Sequence, residues 1–200
     1  MKKWLSLTVI TMTLMSLFPT SCSDMSEPVE GGLPVIDREK IIDLRSIYPG
    51  TDKSYAQMLV EEIPEYRNLV MDFLLAQEYA PDYKLIMTET ENKPRESYDT
   101  STHAIYRSAS TQEEIDIYLL HFSSAKSAQD EWIWSLGMYS IPDLSPADVD
   151  GIIVGDVAVG TERSLNFVRG NIVIRIRGVN GNSVVDVAKE IDAQIIEALK

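Results

Sequence analysis

Hydrophobic residues recur along this chain with several periods, and each change of period marks a boundary. From Trp4 to Phe18 the sequence is apolar and uncharged, preceded by Lys2 and Lys3 and followed by Pro19, Thr20 and Ser21. That run is shorter than the roughly 20 residues a membrane-spanning helix needs, so residues 1–21 read as a cleavable signal peptide. Residues 22–32 are polar and acidic and close on Gly31 and Gly32, the composition of a flexible tether. Between Val35 and Tyr48, Ile36, Ile41, Ile42, Leu44 and Ile47 punctuate charged residues and predict a short helix or strand. Thr51 and Asp52 offer helix caps, and Tyr55, Met58, Leu59 and Ile63 follow at helical spacing. Pro64 either ends that helix or occupies the first turn of another, whose face is Leu69, Val70, Phe73, Leu74 and Gln77. Residues 33–80 are therefore expected to be mainly helical.

After Pro81 the period shortens to two. Tyr83, Leu85 and Met87 alternate with their neighbours and predict a strand, while polar Glu91 to Thr102 predicts an exposed loop. Ala104 to Ala109 and Ile115 to Phe122 predict two more strands, and Ser123 or Ser124 caps a helix running to about Gly137. Pro142 and Pro146 mark a loop, after which Ile152 to Val159, Ser164 to Arg169 and Ile172 to Arg177 predict three strands and Ser183 to Leu199 a final helix. Two β-β-β-α groups over 81–200 thus follow one another, a candidate internal duplication. The expected fold is α+β: a single domain over 33–200 with an antiparallel sheet of about six strands and helices packed on one face.

One hairpin can be set in register. Gly170-Asn171 is a two-residue turn between alternating runs, which places Phe167 opposite Ile174 and Leu165 opposite Ile176, all facing the core. The other face then carries Val168 with Val173, Asn166 with Arg175, and Ser164 with Arg177. In the last helix Val184, Val187, Ala188, Ile191, Ile195 and Leu199 form one apolar stripe.

Charge narrows the class of partner. The formal net charge is −13, and loss of Lys2 and Lys3 with the signal peptide takes it to −15, since no acidic residue precedes Cys22. Such a chain has no electrostatic reason to bind nucleic acid or an anionic lipid surface. Its single cysteine has no partner for an intramolecular disulfide. Thr20, Ser21 and Cys22 resemble the small-small-Cys end of the lipobox of bacterial lipoproteins, with Pro19 in place of the usual aliphatic residue. The resemblance implies lipidation at Cys22 and attachment to the membrane through that lipid. Ser23, Asp24, Met25, Ser26 and Glu27 resemble the short acidic signals that direct some lipoproteins to the outer membrane and its surface. Gly155-Asp156 followed by Phe167-Val168-Arg169-Gly170-Asn171 and a terminal helix also resembles small cell-envelope lipoproteins whose domain has no known function, so no activity comes with the resemblance.

Candidate chemistry is sparse. No Gly-x-Ser-x-Gly elbow is present, and the glycines at 151, 155 and 160 fit neither a dinucleotide nor a P-loop spacing, so no cofactor is expected. His103 and His121 lie on different predicted strands without the close spacing of zinc ligands, and each is expected in a structural or surface role with no metal. Glu113, Glu114 and Asp116 are the densest acidic group, read as a solvated hairpin edge. Arg175 and Arg177 share one sheet face, where they could grip an acidic ligand; cross-strand pairing with acidic neighbours is the plainer reading. Trp132 and Trp134 point to opposite sides of their helix. Trp134 is a candidate for stacking on a sugar or anchoring a protein, with burial under the Pro142 to Pro146 loop the plainer alternative. These signals favour a non-catalytic binding or interaction module of the cell envelope, with a protein or glycan partner. A glycan hydrolase using paired carboxylates and a structural subunit of an envelope assembly are the rivals.

Overall fold

In the computed structural model, residues 36–38, 43–92, 98–138 and 145–198 are described. The signal peptide, the tether and Cys22 lie outside them, as does Leu199. Alternating sequence after Pro81 builds one antiparallel sheet of β1 (Glu78–Tyr79), β2 (Tyr83–Asn92), β3 (Thr100–Ser108), β4 (Glu114–His121), β5 (Val157–Thr161), β6 (Ser164–Arg169) and β7 (Ile172–Gly178). Their order is β1-β2-β3-β4-β7-β6-β5, so seven strands form where about six are expected, the additional one being the two-residue β1. Pro34–Lys200 forms one compact unit.

The β6–β7 hairpin adopts the expected register, with Phe167 opposite Ile174, Leu165 opposite Ile176, Asn166 opposite Arg175 and Ser164 opposite Arg177. On this first face Ile115, Ile117, Leu165, Phe167, Ile174 and Ile176 pack against Val187, Ala188, Ile191 and Ile195 of helix α3 (Val185–Ala198).

The expectation of helices on one face is corrected. Leu120, Val157, Val168 and Val173 on the second face pack against helices α1 (Tyr55–Glu61) and α2 (Ala125–Leu136) through Leu59, Ala128, Trp132 and Leu136. The cause is that β4 to β7 are apolar on both faces near Leu120 and Val173, so both must be covered. The strand order mirrors itself about the β4–β7 junction, but α2 and α3 cover opposite faces, so no two-fold axis through the sheet relates the two groups.

The N-terminal third is less helical than its pattern predicts. Ser54, rather than Thr51 or Asp52, caps α1: its hydroxyl accepts from Gln57 N while the Gln57 side chain accepts from Ser54 N, a reciprocal capping box. Thr51 is occupied in the preceding turn, where its hydroxyl donates to the Tyr48 carbonyl. Beyond a short 3-10 turn at Glu65–Arg67 no second helix forms. Instead residues 68–77 lie as a strap in which Met71, Phe73 and Leu75 turn toward the first-face core while Val70 and Leu74 are exposed. Side chains supply the acceptors that a helix would have supplied: Asn171 Oδ1 takes Met71 N at 2.8 Å and His121 Nε2 takes Phe73 N at 3.1 Å.

Two further differences shape the site. The polar segment expected as a loop is partly strand, because Thr88 to Asn92 pairs with Thr100 to Ala104. A bulge at Ile86 shifts the β2–β3 register between Leu85 and Met87. Tyr83 and Leu85 therefore belong to the first face, whereas Met87, Glu89 and Glu91 turn to the second, opposite Ile105, His103 and Ser101.

Candidate ligand-binding groove

Helix α2 covers only the β6–β7 side of the second face. It is fixed there by Trp132, which is fully buried and donates from Nε1 to the Asn166 carbonyl at 3.2 Å, and by Ser135, whose hydroxyl accepts from Asn166 Nδ2 at 3.0 Å. With those residues turned inward, Glu131, Trp134 and Met138 fall at spacings of three and four on the flank that overlooks the uncovered strands. Between this flank and β2–β4 lies an open groove of about 490 Å³.

Its floor is a cross-strand row. Glu89 of β2, His103 of β3, Tyr118 of β4 and Arg175 of β7 are successive partners across the sheet. Stacked rings with centroids 4.2 Å apart and planes within 1° hold His103 against Tyr118. His103 Nε2 donates to Asp116 Oδ1 at 2.6 Å, which fixes the imidazole on its other side. Glu91, Ser101 and Leu120 line the floor in the next row, and Tyr98, edge-on to Phe122 at 6.4 Å, lines the groove as well.

Trp134 is 62 % exposed and stands on the wall, so the expected burial is corrected, while residues 142–144 of the loop expected to cover it lie outside the described residues. Arg175 joins it in the groove, where its Nη2 donates to Glu131 Oε1 at 3.0 Å. Arg177 lies one row away and donates to Asp116 Oδ2 at 3.0 Å, its directly opposite neighbour. Arg177 thus has the cross-strand acidic partner of the plainer expectation, whereas Arg175 is opposite Tyr118 and takes its acidic partner from helix α2 instead. The Glu113, Glu114 and Asp116 group is no hairpin edge, because β4 lies between β3 and β7 and Glu114 and Asp116 are ion-paired to Arg107 and Arg177.

No family model, no curated protein and no solved structure matches the chain. Chemistry must therefore be argued from the groove itself. Among the described residues no group of three or more His, Cys, Asp or Glu side chains is placed to hold a metal ion. The His103–Asp116 pair has the form of an oriented base, and Ser101 sits two residues along the same strand face. No hydrogen bond joins Ser101 to His103 among the described residues, so no activated nucleophile is assembled. What the groove offers is an open indole over a floor of carboxylates, hydroxyls and an imidazole.

His121 does not join His103. Burial lowers its pKa below the ordinary 6.5, with Asp72 and Asp99 pulling the other way. Its Nε2 lone pair accepts from Phe73 N, which leaves the proton on Nδ1, facing Thr100 Oγ1 at 3.1 Å. Sequence reasoning reached Trp134 and Arg175 but missed Glu89, His103 and Tyr118 as neighbours. The Glu131–Trp134–Met138 spacing was a readable signal for the wall; the floor depended on a bulge and on pairing between strands.

Proposed function

We propose that the protein is a lipid-anchored binding module of the bacterial cell envelope, tethered to the outer membrane through Cys22, and that its groove takes a glycan. The anchor rests on the lipobox-like Thr20-Ser21-Cys22 and the acidic residues that follow. One observation carries the binding function: the largely exposed Trp134 above the polar row Glu89, His103, Tyr118 and Arg175. A sugar ring has an apolar C–H face and a rim of hydroxyls that both donate and accept. It therefore matches an open aromatic face beside carboxylates and hydroxyls. A protein partner is favoured less, because its anchoring side chains need desolvated apolar pockets and this floor is polar. An anionic small ligand is favoured less too, since Glu89, Glu91 and Glu131 line the groove and Arg175 is paired.

The test is intrinsic fluorescence of the full-length protein titrated with cellulose-, xylan-, chitin-, amylose- and mannan-type oligosaccharides, each compared with Trp134→Ala. A ligand seated on the indole shifts emission to the blue in the parent protein only. Affinity then falls at least about tenfold in Trp134→Ala, the loss expected of an anchoring aromatic, while the melting midpoint stays the same. Saccharide binding with equal affinity in the variant, or none from any series, would discard the reading.

A further inference from the structure

The groove does not end at Arg175. A second depression of about 340 Å³ begins there, lined by Asp116, Ser164 and Arg177, and shares Tyr118 and Arg175 with the first. We infer, resting on the reading that the groove takes a glycan, that the two depressions are linked subsites and that the ligand is an oligosaccharide chain of several units.

Strand pairing sets the scale. From Glu89 on β2 to Ser164 on β6 the surface crosses β3, β4 and β7, and four strand spacings amount to roughly 19 Å. That is longer than one sugar ring, and the two depressions share Tyr118 and Arg175 in their linings. The chemistry also changes along the track. The first subsite offers the Trp134 face and the carboxylates of Glu89 and Glu91. The second has no indole and offers the Ser164 hydroxyl and the Arg177 guanidinium, whose side chain is 67 % exposed.

Arg177 is nevertheless held in place. Asp116 accepts from His103 through Oδ1 and from Arg177 through Oδ2, so the guanidinium is oriented by one bond while most of its side chain stays exposed. A ring stacked on Trp134 has no use for that fork, whereas later units of the same chain do. Ser164 and Arg177 are directly opposite each other and form the distal end as a pair.

Calorimetric titration of the full-length protein with the same five saccharide families, from disaccharide to hexasaccharide, tests this. For the family that binds, affinity climbs at least about tenfold between the shortest and longest members. In Arg177→Ala, and separately in Ser164→Trp, that climb shrinks to about twofold. Affinity that is already level at the disaccharide while still requiring Trp134 overturns the linked subsites and leaves the glycan groove standing. A climb that persists in both variants overturns the placement of the distal subsite. Failure of every family to bind overturns the glycan reading together with this one.

Discussion

Two arginines on neighbouring strands show how burial, rather than the presence of an ion pair, decides what a charge does. Arg169 is buried and grips Asp192 of α3 with a two-pronged fork, Nε at 2.8 Å and Nη2 at 2.7 Å, while Nη1 reaches Asp156 Oδ1 at 2.7 Å. Burial works against its charge, but Asp192 and Asp156 more than offset this and hold the guanidinium protonated. Asp156 Oδ2 also takes Gly170 N at 2.9 Å, so the fork joins the end of β6, the following turn and α3. Gly155 is required beside it: its φ is +67°, and a Cβ there would lie 2.7 Å from the Val168 carbonyl oxygen. Gly155, Asp156, Arg169 and Gly170 of the pattern that joins Gly155-Asp156 to Phe167-to-Asn171 thus meet at this pin. Arg169→Met strands the buried Asp192 carboxylate, while Asp156 keeps Arg67 Nη1 at 3.2 Å and Gly170 N; it is expected to destabilise the fold by about 3–5 kcal/mol, whereas loss of the exposed Arg177–Asp116 pair costs at most about 1 kcal/mol. Urea unfolding of the two variants measures the difference. Equal midpoints for Arg169→Met and Arg177→Ala would show that the buried fork does not pin the fold.

At the scale of elements, legibility follows from how local the deciding interactions are. The β6–β7 hairpin was readable because a two-residue turn fixes its register, and α3 because its stripe is continuous. The strap was not, since Met71, Phe73 and Leu75 at period two coexist with Leu69, Val70, Phe73 and Leu74 at helical spacing. Acceptors on His121 and Asn171, 48 and 100 residues away, choose between the two. That choice makes the strap sensitive to acid. Protonation of His121 at Nε2 would set two donors against each other at Phe73 N. Because burial lowers the folded pKa below the ordinary 6.5, the unfolded chain takes up the proton first as pH falls. The contribution is therefore complete above about pH 6.5 and declines below it, by up to about 1.4 kcal/mol per pH unit. The difference between the parent protein and His121→Gln isolates the effect, because the substitution changes that side chain alone. Stability of the parent is expected to fall more steeply than that of the variant between pH 6.5 and 5; parallel curves would show that the strap is not held by a neutral His121.

For the whole molecule, the sequence carried the class α+β and one wall of the groove, but not the floor. Glu89 and Glu91 face the groove only because a single bulge at Ile86 reverses the parity of β2, and among the described residues α2 covers the β6–β7 side of the second face and leaves the groove open beside it. No periodicity encodes either fact. The proposed placement of the molecule in the cell rests wholly on residues 1–32, which lie outside the described residues. Among the described residues no helix is long and apolar enough to cross a membrane, and the proposed attachment is the lipid at Cys22. Acyl chains contribute about 0.8 kcal/mol for each buried CH2 group, and more than one chain is needed for stable anchoring. Expression in a bacterial host should thus yield a protein whose N-terminal residue is a Cys22 carrying diacylglycerol on sulfur, visible as added mass on the N-terminal peptide, and which partitions into detergent. Cys22→Ser should lack the added mass and leave the detergent phase, with unchanged saccharide affinity because the groove lies in the folded body. A free thiol at Cys22, or cleavage at another position, would remove the anchor from the proposal and leave the groove to be placed by other means.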